Sequence, residues 1–181
     1  MKIAISGHRP DSFLVSHYSP ESVVRIANDI VCVFRRKFGD ELLFNLGGAI
    51  GVDQWVGRIC MEQNIRYHMF LPFRPEIQAR YWSKEQRKEL DEQLKHASGI
   101  HISNLSGQYS PYIFQERNKK MIDGADFLVA FWVGKRKGGT YNAMKYALSE
   151  SKFVFNALNK LCPIFDEELK KGWTPPTVTG E

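Results

Sequence analysis

The chain has 181 residues, 43% of them hydrophobic and 25% charged, with a formal net charge of +5. That balance is the one expected of a globular domain in water, and no run of about 18 apolar residues is available to span a membrane. The length suits one domain over residues 1–181, with an irregular, Pro-rich tail from about residue 166.

In chain order, "MKIAISGHRP" enters a strand-like run at residues 2–6 without a long apolar leader, so a cytoplasmic location is expected. Further runs at 42–46, 66–71, 99–103, 126–132 and 152–157 are short and apolar, as in parallel strands covered on both faces. Helical patterns lie between them. The stretch "SPESVVRIANDIVCVFRRKF" opens with Ser19 as N-cap and Pro20 at the first helical position, and carries an apolar stripe through Val23, Ile30 and Phe34. Helices are also expected in "VDQWVGRICMEQN", "SKEQRKELDEQLKHA", "SPYIFQERNKKMIDGA" and "TYNAMKYALSES", with Ser83 and Ser110 as caps and Gly124 as a stop. Continuous alternation of strand and helix predicts an α/β fold, a Rossmann-like open and mostly parallel sheet with helices on both faces. The three cysteines, Cys32, Cys60 and Cys162, are far apart and read as reduced thiols.

Ligands of such sheets bind beyond the carboxyl ends of the strands. Three glycine-rich or polar loops fall there: "SGHRP" after the first strand, "GGAIGVD" after the second and "VGKRKGGT" after the fifth. Gly7, Gly47, Gly48, Gly51, Gly138 and Gly139 offer backbone that a phosphate can approach, and Thr140 adds a hydroxyl at a helix start. Asp53 reads either as a helix cap or as a ligand contact. His8 is a candidate donor to a base or a general acid, and Arg9 a forked partner for a phosphate or carboxylate. Residues 115–145 hold seven Lys or Arg against three acids, including Lys135, Arg136 and Lys137 beside the third loop. Such a cluster suits a phosphorylated ligand or a nucleic-acid backbone, and equally a solvated helix face.

On the helix at 111–123, Gln115 and Asn118 are expected to share the face of Ile122 close to the sheet, with Arg117 adding charge. Of Trp55, Phe70, Phe73, Tyr81, Trp82, Tyr109, Tyr112 and Trp132, most are expected in the core, while Phe73, Trp82 and Tyr109, in loop-like stretches, are candidates for stacking on a base. The run "LPFRPEIQARYW" reads as a loop crossing the ligand edge. The sequence has no HExxH, paired-cysteine metal site, P-loop or GxSxG, so neither a metal nor a cofactor is expected.

With these residues in view, "SGHRP", "LGGAIGVDQW", "LPF", "FQERN", "MIDGADFLVAFW" and "GGTYNA" together resemble the SLOG superfamily, most closely its YpsA-like branch of bacteria and phages. The resemblance implies binding of a nucleotide or a nucleotide-derived small molecule of ADP-ribose type, for sensing or sequestration. LOG-like phosphoribohydrolases of the superfamily carry "GGxGTxxE", whose glutamate acts at the sugar. Here the stretch reads "GGTYNAM", with Asn142 near that position, and an amide cannot replace a carboxylate in proton transfer. Binding is therefore expected rather than hydrolysis, with Asp53 and Glu116 as substitute carboxylates in the alternative N-glycosidase reading. A more distant likeness to DprA-like domains adds single-stranded nucleic acid as an alternative partner. A second copy of the chain is a further candidate partner, and a membrane is not.

Overall fold

The computed structural model describes residues 1–14 and 18–158; Cys162 and the expected tail lie outside them. Six strands form one sheet among these residues: β1 (Lys2–Gly7), β2 (Leu43–Leu46), β3 (Arg66–Phe73), β4 (Gly99–Asn104), β5 (Phe127–Phe131) and β6 (Phe153–Asn156). All neighbours pair in parallel, in the order β4-β3-β2-β1-β5-β6. The chain thus steps outward from β1 to one edge, then returns to lay β5 on the other side of β1. The strand order reverses between β1 and β5, and this is where open α/β sheets take ligands.

Side-chain alternation along the strands builds two cores. Ile3 and Ile5 of β1, Met69 and Leu71 of β3, and Val129 and Phe131 of β5 join one cluster. The intervening Ala4, Phe70, Leu128 and Ala130 join the other, as a two-residue period requires. The first cluster is closed by α2 (Pro20–Phe38), α3 (Val52–Glu62) and α5 (Lys84–His96). The second is closed by α6 (Pro111–Asp123) and α7 (Gly139–Ser149). Each fully buried Ile or Phe here contributes about 1.5–3 kcal/mol relative to an exposed one. Ala4 and Ala130 face Ala143 and Ala147 in the second cluster, so little side-chain bulk separates α7 from the sheet.

The expected helix signals act as caps. Ser22 N donates to Ser19 Oγ at 3.2 Å, and Pro20 opens α2. Gln86 N donates to Ser83 Oγ at 3.2 Å while Ser83 N donates to Gln86 Oε1 at 2.9 Å, a reciprocal capping box. Tyr112 N donates to Ser110 Oγ at 3.4 Å, and Gly124 closes α6.

Two expectations need correction, and one element was not foreseen. The run at 71–82 is not a loop: β3 continues through Phe73, which pairs with Asn104, and α4 (Pro75–Gln78) follows with Pro75 in its first turn. A short α1 (Pro10–Leu14) was not legible in "SGHRPDSFL"; Pro10 opens it and the buried Phe13 anchors it. Finally, β4 is not covered on both faces, because it is an edge strand with Ile100 49% exposed and His101 exposed. No helix among the described residues is long and apolar enough to cross a membrane.

Candidate functional site

A cavity of about 710 Å³ opens at the carboxyl edge of the sheet, across the point where strand order reverses. Gly7, His8 and Arg9 enter it from the end of β1, and Gly138, Gly139 and Thr140 from the start of α7. Between them, Ala49 and Asp53 arrive from the β2–α3 connection. Residues of all three expected loops therefore meet in one space.

They meet it differently. Gly47, Gly48 and Gly51 do not line the cavity. A Cβ on Gly47 would sit 2.0 Å from Arg117 Nη1 and 2.7 Å from Asp53 Oδ2. One on Gly48, whose φ is +63°, would meet Leu71 and Met69, and one on Gly51, at φ +102°, would meet the His8 carbonyl at 2.7 Å. This loop lacks side chains so that the protein's own atoms can close on it. Asp53 does not cap α3 either: the N-cap is Gly51, and Asp53 Oδ2 instead accepts from Ala49 N at 3.1 Å within the loop.

Charges lie beneath that loop. Arg117 is 8% exposed, and its Nη1 donates to the Gly47 carbonyl and, at 3.2 Å, to the Phe70 carbonyl. Burial pulls its guanidinium below the usual value, while the nearby Asp53 carboxylate opposes that drop. Asp53 is 7% exposed, and burial pushes its carboxyl up to about 6 against the pull of Arg117 and the Ala49 bond. His8 is equally enclosed; burial, then the charge of Lys135, brings its imidazole down to about 4, so it is neutral at physiological pH. Buried polar atoms are nearly always hydrogen-bonded, and each orphan costs about 1–3 kcal/mol. Yet His8 Nε2, Asp53 Oδ1, Arg117 Nε and Gln78 Oε1 have no partner among the described residues, and all four residues line this cavity.

Asn118 lines the cavity beside Arg117, but Gln115 and Glu116 are exposed and do not. The expected face of α6 was misplaced: its buried residues are Ile113, Arg117, Met121 and Ile122, which centres the stripe on Arg117. Asn142 is also exposed and outside the cavity. Phe73 is only 3% exposed, stacked under Tyr109 at 6.2 Å and edge-on to Phe114 at 5.6 Å. Phe73 therefore supports the wall, and the open ring faces belong to Tyr109, 74% exposed, and to Tyr81, 88% exposed. Trp82 lines the cavity with them.

The basic cluster divides. Lys135 and Lys137 line the cavity, whereas Lys119 and Lys145 sit over the rings of Tyr146 and Tyr141 on the helix surfaces. The loop that carries the two lining lysines is held from below: Trp132 is buried, donates Nε1–H to the Lys135 carbonyl at 2.8 Å and stacks on Tyr141. Gly138 has φ +96°, and a Cβ on Gly138 or Gly139 would meet nothing within 4 Å. Here the unpaired amides of the first turn of α7 are open to an anion, with two lysines beside them. Sequence reading missed Gln78 and Tyr81; Pro75, a helix opener after Arg74, was the one local signal that this segment is structured.

No protein-family model matches the sequence. Over 141 residues, 70% of this chain and 80% of the relative, it is 31% identical to the uncharacterized SPbeta prophage-derived protein YoqJ of Bacillus subtilis strain 168. The chain belongs to the YoqJ family. Solved structures place the YoqJ-family fold more widely. DNA processing protein A (DprA) of Streptococcus pneumoniae matches with a TM-score of 0.62 at 15% identity, over 94% of this chain. The chain spans about half the length of that protein, 54%. DprA of Helicobacter pylori, described for its single-stranded DNA binding mode, matches with a TM-score of 0.61 at 20% identity, over 94% of this chain and 72% of its own. The protein TM1055 matches with a TM-score of 0.55 at 17% identity, over 84% and 71%. At these identities the likeness is one of fold, a parallel Rossmann-like α/β sheet.

Proposed function

We propose that this YoqJ-family protein binds a nucleotide or a nucleotide-derived small molecule in the cavity, as a sensor or sequestering module of the SLOG superfamily's YpsA-like branch. The phosphates lie on the Gly138–Gly139–Thr140 backbone, with Lys135, Lys137 and Arg9 supplying charge. The base lies among Tyr81, Trp82 and Tyr109, and the sugar passes over Asn118. An ADP-ribose type of ligand fits this division of the site into a cationic end and an aromatic end. The carrying observation is the meeting in one cavity of the open Gly138–Gly139 backbone, with Lys135 and Lys137, and the ring faces of Tyr81 and Tyr109.

Thermal unfolding tests this. A ligand at 100 times its Kd stabilises by about 2.7 kcal/mol. ADP and ADP-ribose are expected to raise the melting temperature by several degrees, and the double variant Arg9→Ala, Gly139→Val is expected to abolish that shift while its unliganded melt stays in place. An unchanged shift in the variant removes the site.

A second reading rests on Asp53. A buried carboxyl held near 6, on a residue that lines the cavity, has the character of an acid–base group. Under that reading the protein hydrolyses an N-glycosidic bond, and chromatography of nucleoside monophosphates incubated with it detects free base. The single-stranded DNA binding mode described for the Helicobacter pylori structure supports a third reading. It predicts steep salt-dependent binding of an oligonucleotide that mononucleotides fail to displace.

A further inference from the structure

We propose that residues 163–171 of this chain fold into an amphipathic helix that docks on the apolar flank formed by α2, β5 and β6. Ile26, Ile30, Val33 and Phe155 of that flank do not line the cavity, so the docking is independent of the nucleotide reading.

The flank follows from how α2 sits. On one side of its buried stripe, Val23, Ala27 and Val31, it faces α3. There Gln63, which ends α3, donates Nε2–H to Asn28 Oδ1 at 2.9 Å and lies beside Cys32. Helical geometry puts Ile26, Ile30 and Val33 on the other side. That side looks toward β5, since Phe34 meets Phe127 edge-on at 5.6 Å, and Phe127 meets Phe153 of β6 at 6.0 Å. In the parallel register Phe155 pairs with Val129, and so shares the face of the first core. Yet Val33 is 50% exposed and Phe155 37%, with Ile26 and Ile30 half-buried. Helix α7 covers β6 from the opposite face, and on this face the described helices stop at α2. Contiguous apolar surface of this kind calls for a cover.

The chain itself supplies one. After β6, Leu158 is buried in the first core, and its carbonyl accepts from the Tyr18 hydroxyl, one residue before the N-cap of α2. Residues 159–181, outside the described residues, are thereby tethered at the head of this flank. Their sequence has the pattern of a covering helix. Leu161, Phe165, Leu169 and Trp173 recur at four-residue steps, with Ile164 beside them. Pro163 opens the pattern, Asp166, Glu167 and Glu168 follow it, Lys170 and Lys171 fall in the last turn, and Gly172 stops it. At about 1.5 Å per residue this helix spans about 14 Å, against about 11 Å from Ile26 to Val33. The irregular tail is thereby shortened to the Pro-rich end after Gly172.

Nuclear Overhauser spectra of the full chain test the docking. Contacts are expected from the Val33 methyls or the Phe155 ring to Phe165, Leu169 or Trp173, unchanged on dilution. Their absence overturns the proposal. In a mixture of labelled and unlabelled chains, contacts seen only between chains also overturn it, and name a second copy as the cover. Leu169→Asp gives a second readout: amides 164–171 are expected to exchange about tenfold faster or more in the variant than in the native chain. Equal exchange in the folded variant overturns the proposal. The native spectra decide even if the variant does not fold.

Discussion

Two glycine loops of this chain, 47–51 and 134–139, look alike in sequence and serve opposite ends. In the first, the missing side chains admit the protein itself: Arg117 and Asp53 against Gly47, Leu71 and Met69 against Gly48, the His8 carbonyl against Gly51. In the second, added Cβ atoms at Gly134, Gly138 and Gly139 would meet nothing within 4 Å. Glycine in a βα loop signals that something must come close. Whether that is the chain's own interior or a ligand depends on tertiary neighbours. Here the packed loop covers the buried side chains of Arg117 and Asp53, and the open loop faces the cavity with two lysines.

The contrast is sharpest under substitution. Gly47→Ala drives a methyl into the buried Arg117 guanidinium and Asp53 carboxylate, and overpacking a closed site costs about 1–3 kcal/mol or more. The expected outcome is a collapse of the urea midpoint, or no folded protein at all; a melt within a degree or two of the native one would break the comparison. Gly139→Val is next. It should leave stability within about 0.5 kcal/mol while lowering nucleotide affinity tenfold or more in calorimetry. Trp132→Phe removes the Nε1–H bond to the Lys135 carbonyl that supports the open loop. A lost hydrogen bond of about 1 kcal/mol predicts a several-fold weaker Kd with little change in fold.

In the native protein the net effect of pH is small, because two buried groups act in opposite directions. His8 titrates near 4 when folded against an ordinary 6.5, so the unfolded chain takes its proton first and acidification through 6.5 to 4 removes stability. Asp53 titrates near 6 when folded against an ordinary 3.8, so the same acidification adds stability between those values. The two oppose each other. His8→Asn removes only the first, and its melting temperature should gain on the native protein as pH falls from 6.5 to 4. A difference independent of pH contradicts the buried, neutral imidazole.

The six strands and the helix caps were legible because their signals are local: apolar runs, and Ser19, Ser83 and Ser110 placed before helical periodicity. The gathering of residues after β1, β2 and β5 followed from parallel topology. What stayed hidden depends on distant partners. Arg117 looked like one more charge on a basic helix, and its burial depends on carbonyls of Gly47 and Phe70. Gln78 acquires meaning only through the Gly48 carbonyl, and Phe73 is closed off from a base by Tyr109. The exposure of β4 follows from its edge position, which its apolar sequence does not announce.

The central claim is that the loop after β5, the end of β1 and the segment after β3 act on one ligand. Backbone amide shifts recorded during titration with ADP test it most directly. The account predicts concerted, saturable changes at Gly7–Arg9, at Lys137–Thr140 and at Gln78–Trp82, with Gly39 and the β4 edge unmoved. Changes confined to one of the three segments, or centred elsewhere on the surface, would contradict it.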